Sequence, residues 1–450
     1  MKRFKAERAY LVFMMLILII FLITGCGSSG GNGQPGHCLS NPIVTLTAPA
    51  DAAAGILTNT TINVTFSKAM NPTTVTVQAS DGVCTDSVQI SDNDFTTCVG
   101  GTINTSDNTT FTIDPTADLV TCDTYKVRVT TSVTDSGGTA MAVQFTQPNG
   151  FDTQSVISWT EDAGNPIILG GSTNEDKAYY PYTIKVGPTY HIWYGDGDET
   201  RHATSYYYDF RDVTFPAPKV TGLLGTYLPY HPRVKYNAEG WTIGGTSYAG
   251  PFLMYYTNSI PWTDSPRIAH SADGQVWTDI GPCTGVSQYA GDSIYSFDVL
   301  YEGGTDWKAY RDNGGGQILY FTSTNGIDWI IAATDILGTY DTTWENSTWK
   351  NISPSIYKIE STYVLFFSGG LTGNDQGFGL ATSTDGSTFT KSASNPIFSI
   401  NNGVPWRDVR TYTSSVVQNG SGWYVYFTGR TNTPSTSYSV GVARKCGSLY

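Results

Sequence analysis

Four short stretches of the chain repeat one another: HATSYYYDF around Ser205, SADGQVW from Ser271, STNGIDW from Ser323 and STDGSTF from Ser383, with VGVAR near residue 444 standing where a fifth would begin. An Asp-Gly or Asn-Gly pair between strand-like runs is a hairpin turn, because Gly and Asn tolerate the positive φ such turns need. A turn that keeps returning constrains the fold more than any isolated motif. Each copy must be one supersecondary unit that buries its apolar faces against its neighbours.

Upstream of each copy lies an aromatic-rich strand: YHIWYGD, FLMYYTN, WKAYRDN, YVLFFSG and WYVYFTG. Upstream again comes a shorter one: YYPYTIK, YHPRVKY, YSFDVLY, ISPSIYK and YTSSVVQ. Each period thus supplies an inner strand, a middle strand, an outer hairpin strand and a last strand bearing Trp or Phe, which describes a propeller blade. The fifth copy lacks its last strand. The missing piece stands at the other end of the repeat region, where WTEDAGNPII (159 to 168) matches FTKSASNPIF (389 to 398), with Trp159 in the place of Phe389 and Asn165-Pro166 in that of Asn395-Pro396. A strand over 156 to 160 is expected to complete the fifth blade and leave no open edge. The recurring Ser, Asp-Gly and aromatic are then structural: the turn sets the hairpin and the ring packs between blades. The turns are similar to the Asp-box of sialidases but depart from it in the Gly directly after the Asp.

Residues 40–153 read differently. TINVTF, TFTI and YKVRVTTSV alternate apolar with Thr or Ser, the pattern of half-buried antiparallel strands in a sandwich. The stretches TNTTINVTFSKAMNPTTV, FTIDPTADLVTCDTYKVRV and VTDSGGTAM resemble the bacterial Ig-like domain, which implies a spacer or adhesive module. The fold class is therefore all-β, an Ig-like β-sandwich at 40–153 followed by a five-bladed β-propeller at 154–450.

At the N-terminus, Lys2, Arg3, Lys5 and Arg8 precede an unbroken apolar run from Leu11 to Ile23, the layout of a secretory signal. The run is shorter than the roughly 20 residues of a membrane span. Its ending, Leu22-Ile23-Thr24-Gly25-Cys26, resembles the lipobox of bacterial lipoproteins. That resemblance implies removal of 1–25, lipidation of Cys26 and residence in the cell envelope, with 26–39 (GSSGGNGQPG and its flanks) as a flexible tether. Six further cysteines, at 38, 84, 98, 122, 283 and 446, suit a compartment that permits disulfides, and Cys84 and Cys98 are placed for a local bridge; the remaining pairings stay open. The formal net charge of −13 and pI near 4.7 argue against a nucleic-acid partner.

Loops that enter the inner strands of a propeller converge on one mouth of its channel. Here they are NEDKAYYP, TYLPYHPR, AGDSIYSFD, TTWENSTWKNISP and VPWRDVRTY, rich in carboxylates, Arg and aromatics. Such a mixture suits an oligosaccharide, whose C–H faces stack on rings while its hydroxyls take polar contacts. The five-fold count, the NPI boundaries and the S-x-D-G-x-x-W turns resemble the five-bladed propeller glycosidases, the family 43 arabinanases and xylosidases with the family 32 and 68 fructan enzymes. The resemblance implies an Asp before Pro in the first blade and a Glu before Gly-Pro in a later one. In this chain the pre-Pro positions hold Tyr180, His231 and Ser353.

Glycoside hydrolysis needs two carboxylates, and the acids near the expected mouth are Asp298, Glu345, Asp176 and Asp408. Asp298 lies on an inner strand. Glu345 stands between Trp344 and Trp349, whose rings would favour its protonated form. Trp406-Arg407-Asp408 is similar to the Arg-Asp-Pro motif of fructan enzymes without its Pro and in another blade. Tyr180, His231, Arg233, Trp344, Trp349, Trp406 and Arg410 are the candidate sugar contacts. For each acid the alternative is a loop cap or a surface ion pair. No metal site is expected: the acidic run Asp196-Gly197-Asp198-Glu199 offers oxygens to calcium, but it lacks the longer series and terminal Glu of a calcium loop and reads as a hairpin turn. Two readings stand: a glycoside hydrolase-like propeller, or a non-catalytic glycan-binding or scaffold lipoprotein. Changing Cys26→Ser is expected to release the protein from the membrane fraction, whereas continued membrane association would point to an uncleaved helix.

Overall fold

The computed structural model describes residues 40–155, 158–171, 177–196, 199–224, 230–257, 266–286, 296–313, 316–338, 340–345, 352–370, 377–399, 404–432 and 436–450. The signal, the tether and Cys26 lie outside these residues. Among the described residues no helix is long and apolar enough to cross a membrane.

The first body is a sandwich. One sheet orders Val44–Ala48, Ile62–Phe66, Thr110–Pro115 and Gly101–Thr105; the other orders Val88–Ser91, Thr124–Val129 and Phe145–Thr146, with Phe151–Asp152 also pairing Thr124–Val129. Strand alternation sends Ile62, Val64 and Phe66 from one sheet, and Tyr125, Val127 and Val129 from the other, into one core. The strand expected over 125 to 133 ends at Val129, and the Thr130 and Ser132 hydroxyls bond to each other at 2.7 Å in the turn that follows. Cys84 and Cys98 form the expected local disulfide.

After the sandwich come five sheets, built on the inner strands Tyr179–Val186, Tyr230–Tyr236, Phe297–Tyr301, Ile352–Ile359 and Arg410–Asn419. Each inner strand pairs with a middle strand: Thr189–Gly195, Phe252–Thr257, Trp307–Asp312, Thr362–Gly369 and Gly422–Thr431 respectively. Inner strands of successive sheets lie side by side, and that of sheet five meets that of sheet one. This is a propeller, and the ring closes on itself.

The repeated turn explains how the sheets are joined. In the Ser271 copy, the Asp273 and Gly274 N–H groups donate to Ser271 Oγ, and the Gln275 and Val276 N–H groups donate to Asp273 Oδ1 at 2.8 and 2.9 Å. Gly274 sits at φ 77°, and a Cβ there would meet the Trp193 ring at 2.8 Å, so only glycine fits. Its carbonyl accepts from Trp193 Nε1 of the preceding sheet at 2.9 Å. Tyr255 Oη donates likewise to the Gly326 carbonyl at 2.8 Å and Tyr310 Oη to that of Gly386 at 2.6 Å. Around the closure, Tyr426 Oη of sheet five reaches the Tyr208 carbonyl of sheet one at 2.7 Å. Each aromatic is the middle-strand residue opposite Tyr182, Arg233, Asp298 or Ser415 of its own inner strand.

The closing strand is Thr160–Glu161, paired with Arg444 and Ala443 on Ser437–Cys446. It lies at the far end of the stretch expected from the sequence, and residues 156 and 157 fall outside the described set. Its counterpart Thr390–Lys391 pairs with Thr382 and Ala381 in sheet four. The two Asn-Pro motifs also act alike. Asn165 bonds both backbone groups of Val442, at 2.8 and 2.9 Å, and Asn395 those of Leu380, at 2.9 and 3.0 Å.

The two bodies are joined by more than a linker. Cys122 of the sandwich is disulfide-bonded to Cys446 at the end of the last propeller strand, a separation of 324 residues. Val120 enters the apolar cluster of Tyr190, Val417 and Tyr424, and Ser421 Oγ donates to the Cys122 carbonyl at 3.3 Å. The spacer expected from the sequence is thus docked on sheet five, beside the strand that closes the ring. Deleting 154–168 is expected to expose the edge of Ser437–Cys446 and to lower the thermal midpoint of the propeller steeply. Changing Cys122 and Cys446 to Ser is expected to cost about 2–4 kcal/mol. Unchanged amide-exchange protection over 437–446 in both variants would refute this account of closure.

Candidate functional site

The inner strands of sheets one, two and four begin with a bulge at the residue before proline. Tyr180, His231 and Ser353 hold φ of 53°, 51° and 53°, and the strand registers skip at these points. A positive φ is costly for residues other than glycine, and proline restricts its predecessor to extended backbone, so neighbouring groups must hold these conformations in place. The Tyr180 N–H donates to Thr428 Oγ1 at 2.9 Å, and the Ser353 N–H to Asp312 Oδ2 at 3.3 Å. Bulges re-aim side chains. The Tyr180 ring stacks on His231 with centroids 3.6 Å apart and leans on Tyr412 at 5.5 Å, and the Arg410 guanidinium lies 4.8 Å from the Tyr412 ring centre. Burial, followed by the charge of Arg233, holds the His231 imidazole well below its usual pKa, so it is neutral. Tyr180, His231 and Arg410, which the sequence singled out from three loops, are thereby brought together. Tyr412, the last residue of its loop, completes the group; its signal was only its position at the strand entry.

Beneath this ring layer lies a polar one. Arg233 is buried, donates to Ser296 Oγ at 2.9 Å and stands 5.3 Å over the Tyr182 ring. Asp298 has no exposed surface: Oδ1 accepts from Lys235 Nζ at 2.8 Å and from the Val299 N–H at 2.9 Å, and Oδ2 from the Ile356 N–H at 2.8 Å. One carboxylate therefore ties the inner strands of sheets two, three and four. Both of its oxygens are committed to those contacts.

Glu345 is also fully buried, with Oε2 at 2.6 Å from Lys391 Nζ and Oε1 without a hydrogen-bond partner among the described residues. Burial pushes its carboxyl above the ordinary glutamate value, against the pull of Lys391. Its surroundings have a counterpart in sheet five. Trp344 packs on Phe367 and over Gly369 and Gly379, as Trp406 packs on Phe427 and over Gly429 and Gly441. In both places a Cβ on the glycine would strike the tryptophan ring. After each Trp comes a charged residue bound to the closing strand of its sheet: Glu345 to Lys391, and Arg407 to Glu161. The pair is the same with its charges exchanged. Trp344 is only 7% exposed, so its ring is a wedge between strands and not the sugar platform expected from the sequence.

Asp408 is half-buried, with Oδ1 unpartnered among the described residues. Asp298, Glu345 and Asp408 share no hydrogen-bond partner among the described residues. Asp176 and Trp349 lie outside that set. Asp196, from the acidic run considered for calcium, is ion-paired with Arg201.

This architecture, a sandwich followed by a closed ring of radial sheets, defines the class of the protein as a propeller carrying an Ig-like module. Residues 40–153 match the bacterial Ig-like domain. No curated protein matches the chain in sequence. Among solved structures, a complex of BT0996 with RGII is similar with a TM-score of 0.50 and 13% identity, over 65% of this chain and 94% of its own. A thermostable family-43 glycoside hydrolase gives 0.45 and 18%, over 62% and 91%. The catalytic domain of Coprinopsis cinerea GH62 alpha-L-arabinofuranosidase gives 0.47 and 15%, over 64% and 97%. At such identities the likeness is one of fold.

The charge-exchanged pair gives a direct test of Glu345. Glu345→Gln removes the buried charge that faces Lys391 and is expected to cost about 3 kcal/mol. Combining Glu345→Arg with Lys391→Glu, which copies sheet five, is expected to recover most of that loss in denaturant unfolding. A double variant no more stable than the single one would show that the two sites are not equivalent.

Proposed function

We propose that this chain is an envelope-anchored carbohydrate-binding protein whose propeller mouth receives an oligosaccharide. The observation that carries this reading is the meeting of Tyr180, His231, Tyr412 and Arg410 at strained strand entries from three sheets. Backbone strain persists where surrounding structure over-determines it, and it gathers at ligand sites. Rings beside a guanidinium offer stacking area for a sugar face and forked donors for its oxygens. The fold shared with carbohydrate-active propellers supports the same ligand class. The lipid on Cys26 would tether the module to the envelope, with the docked sandwich beneath the propeller.

A second reading, hydrolysis, is favoured by one feature: Glu345 combines a raised carboxyl with an unpartnered buried oxygen, the state a general acid requires. Against it stand the absence of acids from the three pre-Pro positions and the commitment of Asp298 to three strands. Titrating the mature chain with arabinan, xylan, fructan and mannan oligosaccharides, while following product release, separates the two readings. Binding without turnover is expected, and Tyr412→Ala is expected to weaken it about tenfold through lost stacking. Turnover that disappears in Glu345→Gln would establish hydrolysis in its place, and the failure of every sugar to bind would refute the ligand class.

A further inference from the structure

Sheet five sets two arginines directly against each other. Arg410 and Arg430 are register partners on adjacent antiparallel strands, and Arg430 is partnered in turn with Tyr438 on the third strand. Directly opposed residues project from the same face, and like charges so placed are unfavourable. The Arg430 side chain donates through Nη2 to Asn432 Oδ1 at 3.1 Å, while its Nε–H is buried with no acceptor among the described residues. Asp408, two residues ahead of Arg410, has its Oδ1 buried and without a donor in the same set.

The same face meets sheet one. Tyr412, two positions along from Arg410, contacts Tyr180, and Tyr438 contacts Tyr179 with centroids 5.6 Å apart. Arg410 lies over Tyr412 at 4.8 Å, Arg430 over Tyr438 at 5.5 Å, and Lys177 of sheet one over the same Tyr438 at 5.8 Å. Three cations and the rings of Tyr180, Tyr412 and Tyr438 thus line the seam between the first and last sheets, at the end where the strained strand entries lie. This happens in a chain whose formal net charge is −13. The local sign is opposite to that of the whole molecule, and an opposed arginine pair is relieved by an anion that both forks can hold.

We propose that this seam binds an anionic glycan, a sugar chain bearing carboxylate or sulfate groups, with Arg410 and Arg430 on the anion and the tyrosine rings on the sugar faces. The proposal rests on the glycan-binding reading above and names the class of sugar.

The test titrates the mature chain with three probes by calorimetry: an oligogalacturonate, a sulfated galactan oligosaccharide and a neutral arabino-oligosaccharide. At least one anionic probe is expected to bind about tenfold or more tightly than the neutral one, with the advantage shrinking as salt is raised to about 0.5 M. Whichever anionic probe binds better identifies carboxylate or sulfate as the recognised group. Arg430→Gln is expected to remove most of that advantage, to change neutral-sugar affinity by less than about twofold, and to leave the melting temperature unchanged or raised, because it separates like charges. Should that variant melt lower, Arg430→Lys keeps the charge without the fork and is expected to retain the salt dependence with weaker binding. Neutral and anionic probes binding equally, or an anionic preference that survives both changes, would overturn this proposal and leave the glycan-binding reading standing. Binding of none of the three would overturn both.

Discussion

The fold depends on a hydrogen bond that crosses from one sheet to the next. A turn glycine at positive φ exposes its carbonyl, and an aromatic N–H or O–H on the middle strand of the preceding sheet fills it, as Trp193, Tyr255 and Tyr310 do for Gly274, Gly326 and Gly386. Each donor ring is buried, so an unmade bond would leave a desolvated polar group at a cost of about 1–3 kcal/mol. The latch therefore fixes spacing and angle together. Sheet five obeys the same rule across the closure through Tyr426 and the Tyr208 carbonyl. The fourth position carries Phe366, opposite Ser355, where the next sheet has no such turn to latch.

Closure is the weak point of such a ring, because the last sheet borrows its outer strand from the beginning of the propeller. Only Thr160 and Glu161 pair in that strand. What surrounds them compensates. Asn165 plugs the Val442 backbone, Glu161 binds Arg407, and the Cys122–Cys446 disulfide fastens the adjoining strand to the Ig-like sandwich. The sandwich therefore acts as a clasp on the propeller as well as a spacer. Buried charge sits at this joint: burial, reinforced by Asp92, raises the Asp123 carboxyl well above the ordinary range.

Carboxylates that a propeller hydrolase would aim at a sugar are here drawn into the framework. Asp298 gives every contact to three inner strands, and Glu345 forms one half of an ion pair that sheet five builds with the opposite polarity. The mouth is left to tyrosines, a neutral histidine and arginines. That set recognises ligands well and moves protons poorly, since tyrosine and arginine titrate far above neutrality and the imidazole is held far below.

By itself the sequence determined the architecture. The Ser-x-Asp-Gly turns, the paired strand runs and the WTEDAGNPII match are local patterns, and local patterns set hairpins, register and the strand missing from sheet five. The Cys84–Cys98 bridge was legible for the same reason, with a sequence separation of 14 between partners. Contacts that join distant segments were decided only by tertiary structure. Cys122 meets Cys446 over 324 residues, and Glu345 meets Lys391 over 46. A Trp followed by an acid reads as a site in one dimension, yet Trp344 and Glu345 turned out to be the wedge and ion pair of a sheet. The stack of Tyr180 on His231 and the opposed Arg410 and Arg430 depend on bulges and register that no single loop encodes. Side-chain chemistry names what a residue can do, but the partner across the strand decides what it does.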